Sequence, residues 1–419
     1  MTPHEATLLI YNLALLPVIF FSVLFIILTL LNLAMDRASH QKRKLKDHPF
    51  ITVQVPSFND PVAIRCLKAC LRFNYPKDRY EIMVLDDSTN ERVAARLSRF
   101  AAKHGLKYIH RENRRGYKPG ALQEAMGLVK GEIITIFDAD FIPRPDFLER
   151  IAHPFEDPRV AIVQARQGFL NAEKNLISRF ASYLLIVHHT ILMPINNRLN
   201  TVFFCGTAGA IRKSAIEEVG GWNTESITED SDLSVRILAK GYKTVYLPFE
   251  TPSEVPITIE SFIKQQMRWC FGSIRVFADH KRTILSRRGL TLGQRLMITF
   301  MTLGNLVAPA VILMTVAGFA GWFTGGDLRL FGLSDLLTFV LKFVYTAGFL
   351  VMGFVALYKR KSIAEFPRLL LATFSISLIL VFANTVAVYK AVFRKERPLF
   401  GSVKNSWVCT PKTGNEKFR

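Results

Sequence analysis

This chain has too few cysteines for a disulfide framework. Cys66, Cys70, Cys205, Cys270 and Cys409 are scattered over 419 residues and no two of them form a CxxC pair, so they read as reduced thiols in a cytosolic setting. Internal repeats and low-complexity segments are missing too, so no repeat architecture is indicated. No small-residue cleavage site follows the first apolar run, which therefore reads as a retained anchor rather than a secretory leader. Acidic residues are in short supply, 34 against 54 basic ones, leaving a formal charge of +20. The basic residues do not alternate with aromatics in a stripe, which excludes nucleic acid as a partner. An anionic membrane surface and phosphorylated substrates remain.

What is abundant is apolar. Half the residues are hydrophobic and the mean hydropathy is +0.21, too high for an ordinary soluble enzyme and too charged for a pure membrane bundle. Uncharged runs extend over Ala6–Met35, Leu296–Gly326, Phe343–Tyr358 and Leu369–Tyr389, against the roughly 20 apolar residues that a spanning helix needs. Basic residues flank them, Arg37, Lys42, Arg43, Lys44 and Lys46 after the first and Lys359, Arg360 and Lys361 after the third. By the positive-inside rule the intervening domain is cytoplasmic and the N-terminus external. The predicted organisation is an anchor over 1–35, a cytoplasmic domain over 36–255, interfacial helices over 256–295, a transmembrane hairpin over 296–360, and an interfacial or re-entrant helix with a tail over 361–419. The run at 366–393 contains Pro367, Asn384 and several hydroxyl residues, and is expected to lie at the surface or insert only partly.

Within the soluble part, Ile51–Val55, Ile82–Leu85 and Ile133–Phe137 read as buried strands. Val62–Phe73, Arg92–His104 and Gly120–Val129 read as crossover helices. That alternation predicts an α/β fold with a mostly parallel sheet and helices on both faces. Polar residues stand where each strand stops: Ser57 and Asn59, then Asp86 and Asp87, then Asp138 and Asp140. In open α/β sheets ligands bind beyond the carboxyl ends of the strands, so three strands deliver polar residues to one crevice.

Asp138-Ala139-Asp140 sets two carboxylates at alternate positions, which suits Mg2+ or Mn2+ completed by substrate phosphates. A capped turn before Pro143 would also use it. Lys118 follows Arg114, Arg115 and Gly116 into a helix, in reach of phosphates at a helix N-terminus or simply solvated. Cys205 and Gly206 lie in a small-residue turn that permits close ligand approach or tight packing. Thr228-Glu229-Asp230 opens another helix, and a cap explains it as well as catalysis does. Gln265, Arg268 and Trp269 sit on an amphipathic pattern with Ile259, Phe262 and Ile263, suited to the bilayer interface.

Taken in order, Asp86-Asp87, Asp138-x-Asp140, Thr228-Glu229-Asp230 and Gln265-x-x-Arg268-Trp269 resemble the motifs of the processive membrane glycosyltransferases of family 2. That group contains the cellulose, chitin, hyaluronan and mannan synthases, and the similarity is strongest to the cellulose-synthase-like mannan and glucomannan synthases. The resemblance covers roughly His48 to Ser273 and implies a GT-A type nucleotide-sugar-binding domain inserted between transmembrane helices. It implies an inverting hexosyltransferase that uses a UDP- or GDP-hexose donor, a divalent metal, and a polysaccharide or, alternatively, a lipid acceptor at the lipid bilayer. A homo-oligomer is a further expectation. Residue by residue, Asp230 resembles the general base and Asp138 and Asp140 the donor and metal site. Ser57, Asn59, Asp87, Lys118, Gln265 and Arg268 match donor-binding positions. Cys205, Gly206, Glu229 and Trp269 match acceptor positions. The stretch 407–414 looks like the family's gating loop, in which Thr410 and Lys412 would close over the donor.

Overall fold

A computed structural model describes residues 1–35, 45–324 and 334–394. Thr410, Lys412 and the rest of the gating-like tail lie outside the described residues, as do Arg37, Lys42, Arg43 and Lys44. The chain opens with α1 (Pro3–Ala34), capped by a Thr2–Glu5 capping box. The soluble domain then runs β1 (Ile51–Ser57), α2 (Ala63–Cys70), β2 (Tyr80–Asp86), α3 (Glu91–Lys103), β3 (Lys107–His110), α4 (Tyr117–Ala125), β4 (Ile133–Ile136), α5 (Phe147–Ala152) and β5 (Val160–Phe169). Next come α6 (Leu176–Val187), a π-helical turn (His188–Leu192), α7 (Met193–Leu199), β6 (Gly209–Arg212), α8 (Lys213–Glu218), α9 (Glu229–Ala239) and β7 (Lys243–Ser253). Finally, α10 (Ile259–Leu285), α11 (Leu292–Leu303), α12 (Val307–Phe323), α13 (Asp335–Thr346), α14 (Gly348–Lys359) and α15 (Phe366–Tyr389) form the C-terminal part.

Seven strands form one sheet in the order β3-β2-β1-β4-β6-β5-β7 among the described residues. β1 pairs in parallel with β2 and β4, as does β2 with β3 and β5 with β7, whereas β6 runs antiparallel between β4 and β5. The three strands read from apolar runs are present, each within two or three residues. β3, β5, β6 and β7 were not foreseen. Gly209-Ala210-Ile211-Arg212 is too short to carry a period, and its placement is fixed by pairing with β4 on one side and β5 on the other. Fully buried Phe137 and Phe147 fill one face of the sheet, and Leu122, Ile134 and Phe204 the other, as the two-sided covering of a parallel sheet requires.

The apolar helices pack on one another and on the soluble domain. Among the described residues four helical stretches, Pro3–Ala34, Leu176–Leu199, Leu292–Phe323 and Ile363–Phe393, are long and apolar enough to cross a membrane, and Leu336–Thr346 with Gly348–Lys359 forms a pair bent by 57°. α1 and α14 touch at Gly348, where an added Cβ would stand 2.2 Å from the Ser22 carbonyl oxygen. They meet again at their ends, where Lys359 Nζ donates to the Asn32 carbonyl at 2.8 Å. Asn32 Nδ2 in turn donates to the Thr190 and Ile191 carbonyls of the π-helical turn. α15 lies beside α10: Phe262 clusters with Leu369, Ala372 and Ile376, and Met267, Cys270, Phe271 and Ile274 cluster with Ala383, Ala387, Val388 and Ala391.

Candidate active site

The parallel half of the sheet ends in a cleft whose walls come from β1, β2 and β4, the α4 N-terminus, the 205–207 turn, the α9 N-terminus and α10. Ser57, Asp87, Lys118, Asp138, Asp140, Cys205, Gly206, Glu229, Asp230, Gln265, Arg268 and Trp269 all line it. Residues from 57 to 269 in sequence thus meet in one place. Asn59 does not line it; its side chain staples neighbouring loops, with Nδ2 donating to Thr89 Oγ1 at 2.9 Å and Oδ1 accepting from the Asn90 N–H at 2.8 Å.

The acidic pair at the end of β2 divides its work. Asp86 is fully buried and accepts from the Tyr108 hydroxyl at 2.6 Å and the Ser88 hydroxyl at 2.5 Å, a structural role. Asp87 faces the cleft and is held in a two-pronged ion pair by Arg111, at 2.8 and 2.7 Å. The same guanidinium also reaches Glu124 and the Arg115 and Tyr117 carbonyls, so it fixes the basic loop against β2. Planar, two-pronged pairing of this kind adds geometric precision as well as energy. Arg111 was missed in the sequence, where nothing distinguishes it from Arg114 and Arg115.

Lys118 sits at the second position of α4 and donates to Asp138 Oδ1 at 2.6 Å and to the Gly206 carbonyl at 2.8 Å. Burial disfavours its ammonium, yet the charges of Asp138, Glu229 and Asp230 outweigh that, and its pKa is raised. It is therefore a permanent cation. Asp140 is buried, with Oδ2 accepting from the Glu254 N–H at 3.1 Å. Glu254 is itself paired to Arg65 at 2.7 Å. Asp138 is more open, and its N–H donates to Thr207 Oγ1 at 3.0 Å. No group of three potential ligand side chains exists among the described residues. The donor set is two carboxylates beside a cleft, which fits a hard divalent ion whose shell is completed by substrate phosphate and water.

Glu229 and Asp230 enter from the first turn of α9, where Thr228 makes no side-chain capping bond. The third acid of that turn, Asp232, points away to His280 at 2.7 Å, Arg236 and Asn223. Burial, then the neighbouring Asp230 charge, push Glu229 up to about 7. Burial also raises Asp230, against the pull of the Ser231 N–H and the charges of Lys118 and Arg268. A buried and a half-buried carboxylate beside fixed cations, both with raised pKa, suit proton abstraction. Gly206, at φ +78°, backs this pair: a Cβ there would stand 3.1 Å from Asp230 Oδ2. Burial and the Asp230 charge push the Cys205 thiol up, so it stays protonated and is no nucleophile.

α10 presents Gln265, Arg268 and Trp269 to the cleft from one face, while Met267, Cys270, Phe271 and Ile274 bury the opposite face on α15. The lining also includes the apolar residues Leu185, Ile227, Val255 and Pro256. Phe58, Arg114 and Tyr117 line it too, and the Arg114 guanidinium lies 3.4 Å from the Phe58 ring centroid. Apart from Arg114, which belongs to the basic loop before Lys118, these lining residues carried no signal in the sequence, because each is ordinary in its local context.

Comparison with known proteins gives a consistent picture. Glucomannan 4-beta-mannosyltransferase 9 of Arabidopsis thaliana is 36% identical over 278 residues, covering 63% of this chain and 52% of its own length. Glucomannan 4-beta-mannosyltransferase 1 of Oryza sativa subsp. japonica is 38% identical over 265 residues, covering 60% and 51%. The chain thus spans about half the length of the curated relatives it matches. Among solved structures, the mannosyltransferase PcManGT from Pyrobaculum calidifontis, in complex with GDP-Man and Mn2+, matches with TM-score 0.65 at 19% identity, covering 94% of this chain and 100% of that one. At that identity the likeness speaks for the fold, a GT-A type domain joined to apolar helices. The model of glycosyl transferase family group 2 matches residues 133–388, more than half of the chain, and on that match the chain belongs to this family.

Proposed function

We propose that this protein is an inverting, metal-assisted hexosyltransferase of the membrane surface that takes its sugar from a nucleoside diphosphate donor, GDP-mannose by likeness to its relatives. The observation that carries this reading is the placement of Asp230 beside the Lys118–Asp138 pair in one cleft, where a Cβ at Gly206 would stand 3.1 Å from Asp230 Oδ2 and 3.7 Å from Lys118 Nζ, with Arg268 and Trp269 in the same lining. Asp230 accepts the proton of an acceptor hydroxyl. The freed oxygen attacks the anomeric carbon from the face opposite the diphosphate, and the bond to the diphosphate oxygen breaks, inverting the centre. Lys118 and Arg268 neutralise the charge that develops on the leaving group. A divalent ion held by Asp138 and Asp140 would supply Lewis-acid stabilisation of the diphosphate. Asp87, clamped by Arg111, is assigned to the nucleotide, and Trp269 to stacking on the acceptor sugar.

The acceptor is assigned as a β-linked, mannan-type polysaccharide. A lipid-borne acceptor is the second reading, favoured by the apolar lining residues Leu185, Ile227, Val255 and Pro256. Supplying labelled GDP-mannose to purified protein with mannan oligosaccharides in one arm and a membrane-lipid extract in the other separates the two, through a ladder or a single glycolipid. The proposed topology keeps the N-terminus external and the catalytic domain cytoplasmic. α1 and α14 end together at Asn32 and Lys359. α15 starts from the soluble domain, where Glu365 accepts from Arg179 at 2.7 Å and Tyr183 at 2.6 Å. It packs along α12 as well as α10, and the proposed topology takes it as interfacial so that the chain beyond it stays on the side of the catalytic domain.

A further inference from the structure

Near the middle of α10 stands Gly272, although glycine inside a helix is destabilising relative to alanine. The position lies three residues after Trp269 and four after Arg268, so it shares their face of the helix. A Cβ added there would stand 2.3 Å from Thr228 Cγ2, 2.6 Å from Thr228 Oγ1 and 3.0 Å from Thr228 Cβ. Thr228 is buried and directly precedes Glu229 and Asp230. Being β-branched, it has no flexible end to move aside. Among the described residues its Oγ1 is buried without a hydrogen-bond partner, so the contact is a steric seat and not a polar tie. A second tie between the same two helices lies further along, where His280 of α10 meets Asp232 of α9 at 2.7 Å.

We propose that Gly272 is a positioning residue for the transfer reaction: its missing side chain lets the Thr228 turn seat directly on α10, and this seat sets the Asp230 carboxylate against Arg268 and Trp269. The inference rests on the reading of Asp230 as the base. Gly272 acts only through Thr228. Non-bonded carbons settle at about 3.5–4.0 Å, so an alanine methyl forces α9 and α10 apart by roughly 1 Å, a misplacement that costs on the order of 10²-fold in rate.

The test is a double-substitution cycle on the full chain in detergent, assayed with labelled GDP-mannose and a mannan oligosaccharide. Gly272→Ala should lower kcat per folded molecule about 10²-fold with nucleotide affinity retained, and the overpacked contact should lower Tm as well. Thr228→Ala removes Cγ2 and Oγ1, the two closest atoms, and has its own cost because Thr228 lines the cleft. In that background Gly272→Ala should cost far less. Gly293→Ala on α11, whose added Cβ would meet only Leu199 Cδ2 at 3.6 Å, is the control for helical glycine and should act like wild type. Undiminished kcat in Gly272→Ala, or equal losses in both backgrounds, overturns the inference. If Gly272→Ala does not fold, recovery of fold and rate in the double variant supports the seat, and failure to recover overturns it. Wild type without any sugar transfer defeats the functional reading itself, a different outcome from wild-type turnover with an unimpaired Gly272→Ala.

Discussion

Asp230→Asn separates chemistry from binding more cleanly than any other change in the cleft. Asparagine keeps the Oδ1 that accepts the Ser231 N–H at 2.7 Å, so the first turn of α9 retains its geometry. It loses the ability to take a proton. Positioned general bases contribute about 10²- to 10⁴-fold, which is about 3–5 kcal/mol of barrier, and kcat should fall within that range. Donor affinity should hold or rise, because a negative charge beside Lys118 and Arg268 is removed while both cations stay in place. Thermal stability should not fall, since burial already disfavours the Asp230 carboxylate. The assay is single-turnover transfer from labelled donor, with nucleotide binding measured by calorimetry and Tm followed in parallel. A variant that keeps kcat within about tenfold of wild type per folded molecule contradicts the assignment. So does one that loses activity only in proportion to a lower Tm.

Four further outcomes follow from the geometry. On the reading of Asp230 as the base, which works only deprotonated, the rate should fall as pH drops and the pair takes up protons, Glu229 at about 7 and Asp230 above its ordinary value. Glu229→Gln should move that acid limb to lower pH, and a pH–rate profile unchanged by it would count against the pair. Because the folded pKa of Glu229 lies above its ordinary value of 4.5, its charge destabilises the fold as pH rises from there toward 7. The same variant should therefore gain Tm at pH 8 and not at pH 4, readable by differential scanning fluorimetry. Chelation by excess EDTA should abolish transfer and Asp140→Asn should reproduce the loss with the fold intact; full activity in chelator would remove the metal from the account. Gly348→Ala should overpack the α1–α14 contact and cost about 1–3 kcal/mol, seen as a lower Tm in detergent with nucleotide affinity retained.

Much of the site was legible because its chemistry is concentrated in short motifs. Asp138 and Asp140 follow a buried, isoleucine-rich strand, and a carboxylate pair at that place has few structural uses. Thr228-Glu229-Asp230 was ambiguous by itself, and only the tertiary arrangement shows Asp232 turned to His280 while Glu229 and Asp230 face the cleft. Asn59 illustrates the opposite case. Its position beyond β1 matched a ligand-facing strand end, but a left-handed φ of 49° and the Thr89 and Asn90 bonds turn it into a loop tie. The remaining strands were illegible for a different reason: β6 is four residues long and held between β4 and β5, and β7 owes its place to pairing with β5, information that no local period contains. Gly272 looks in the sequence like a defect in an amphipathic helix. Its meaning depends on Thr228, 44 positions away in the sequence and in contact only once α9 and α10 are packed.

The central claim is inverting sugar transfer in this cleft, and the most direct measurement is the anomeric configuration of the product. Detergent-purified protein is given GDP-mannose labelled at the anomeric carbon, with Mn2+ and a mannan oligosaccharide, and the new glycosidic carbon is read by NMR. The account predicts a β-linked mannosyl product from the α-configured donor, absent in Asp230→Asn. An α-linked product, or no transfer from any GDP- or UDP-hexose, would contradict it.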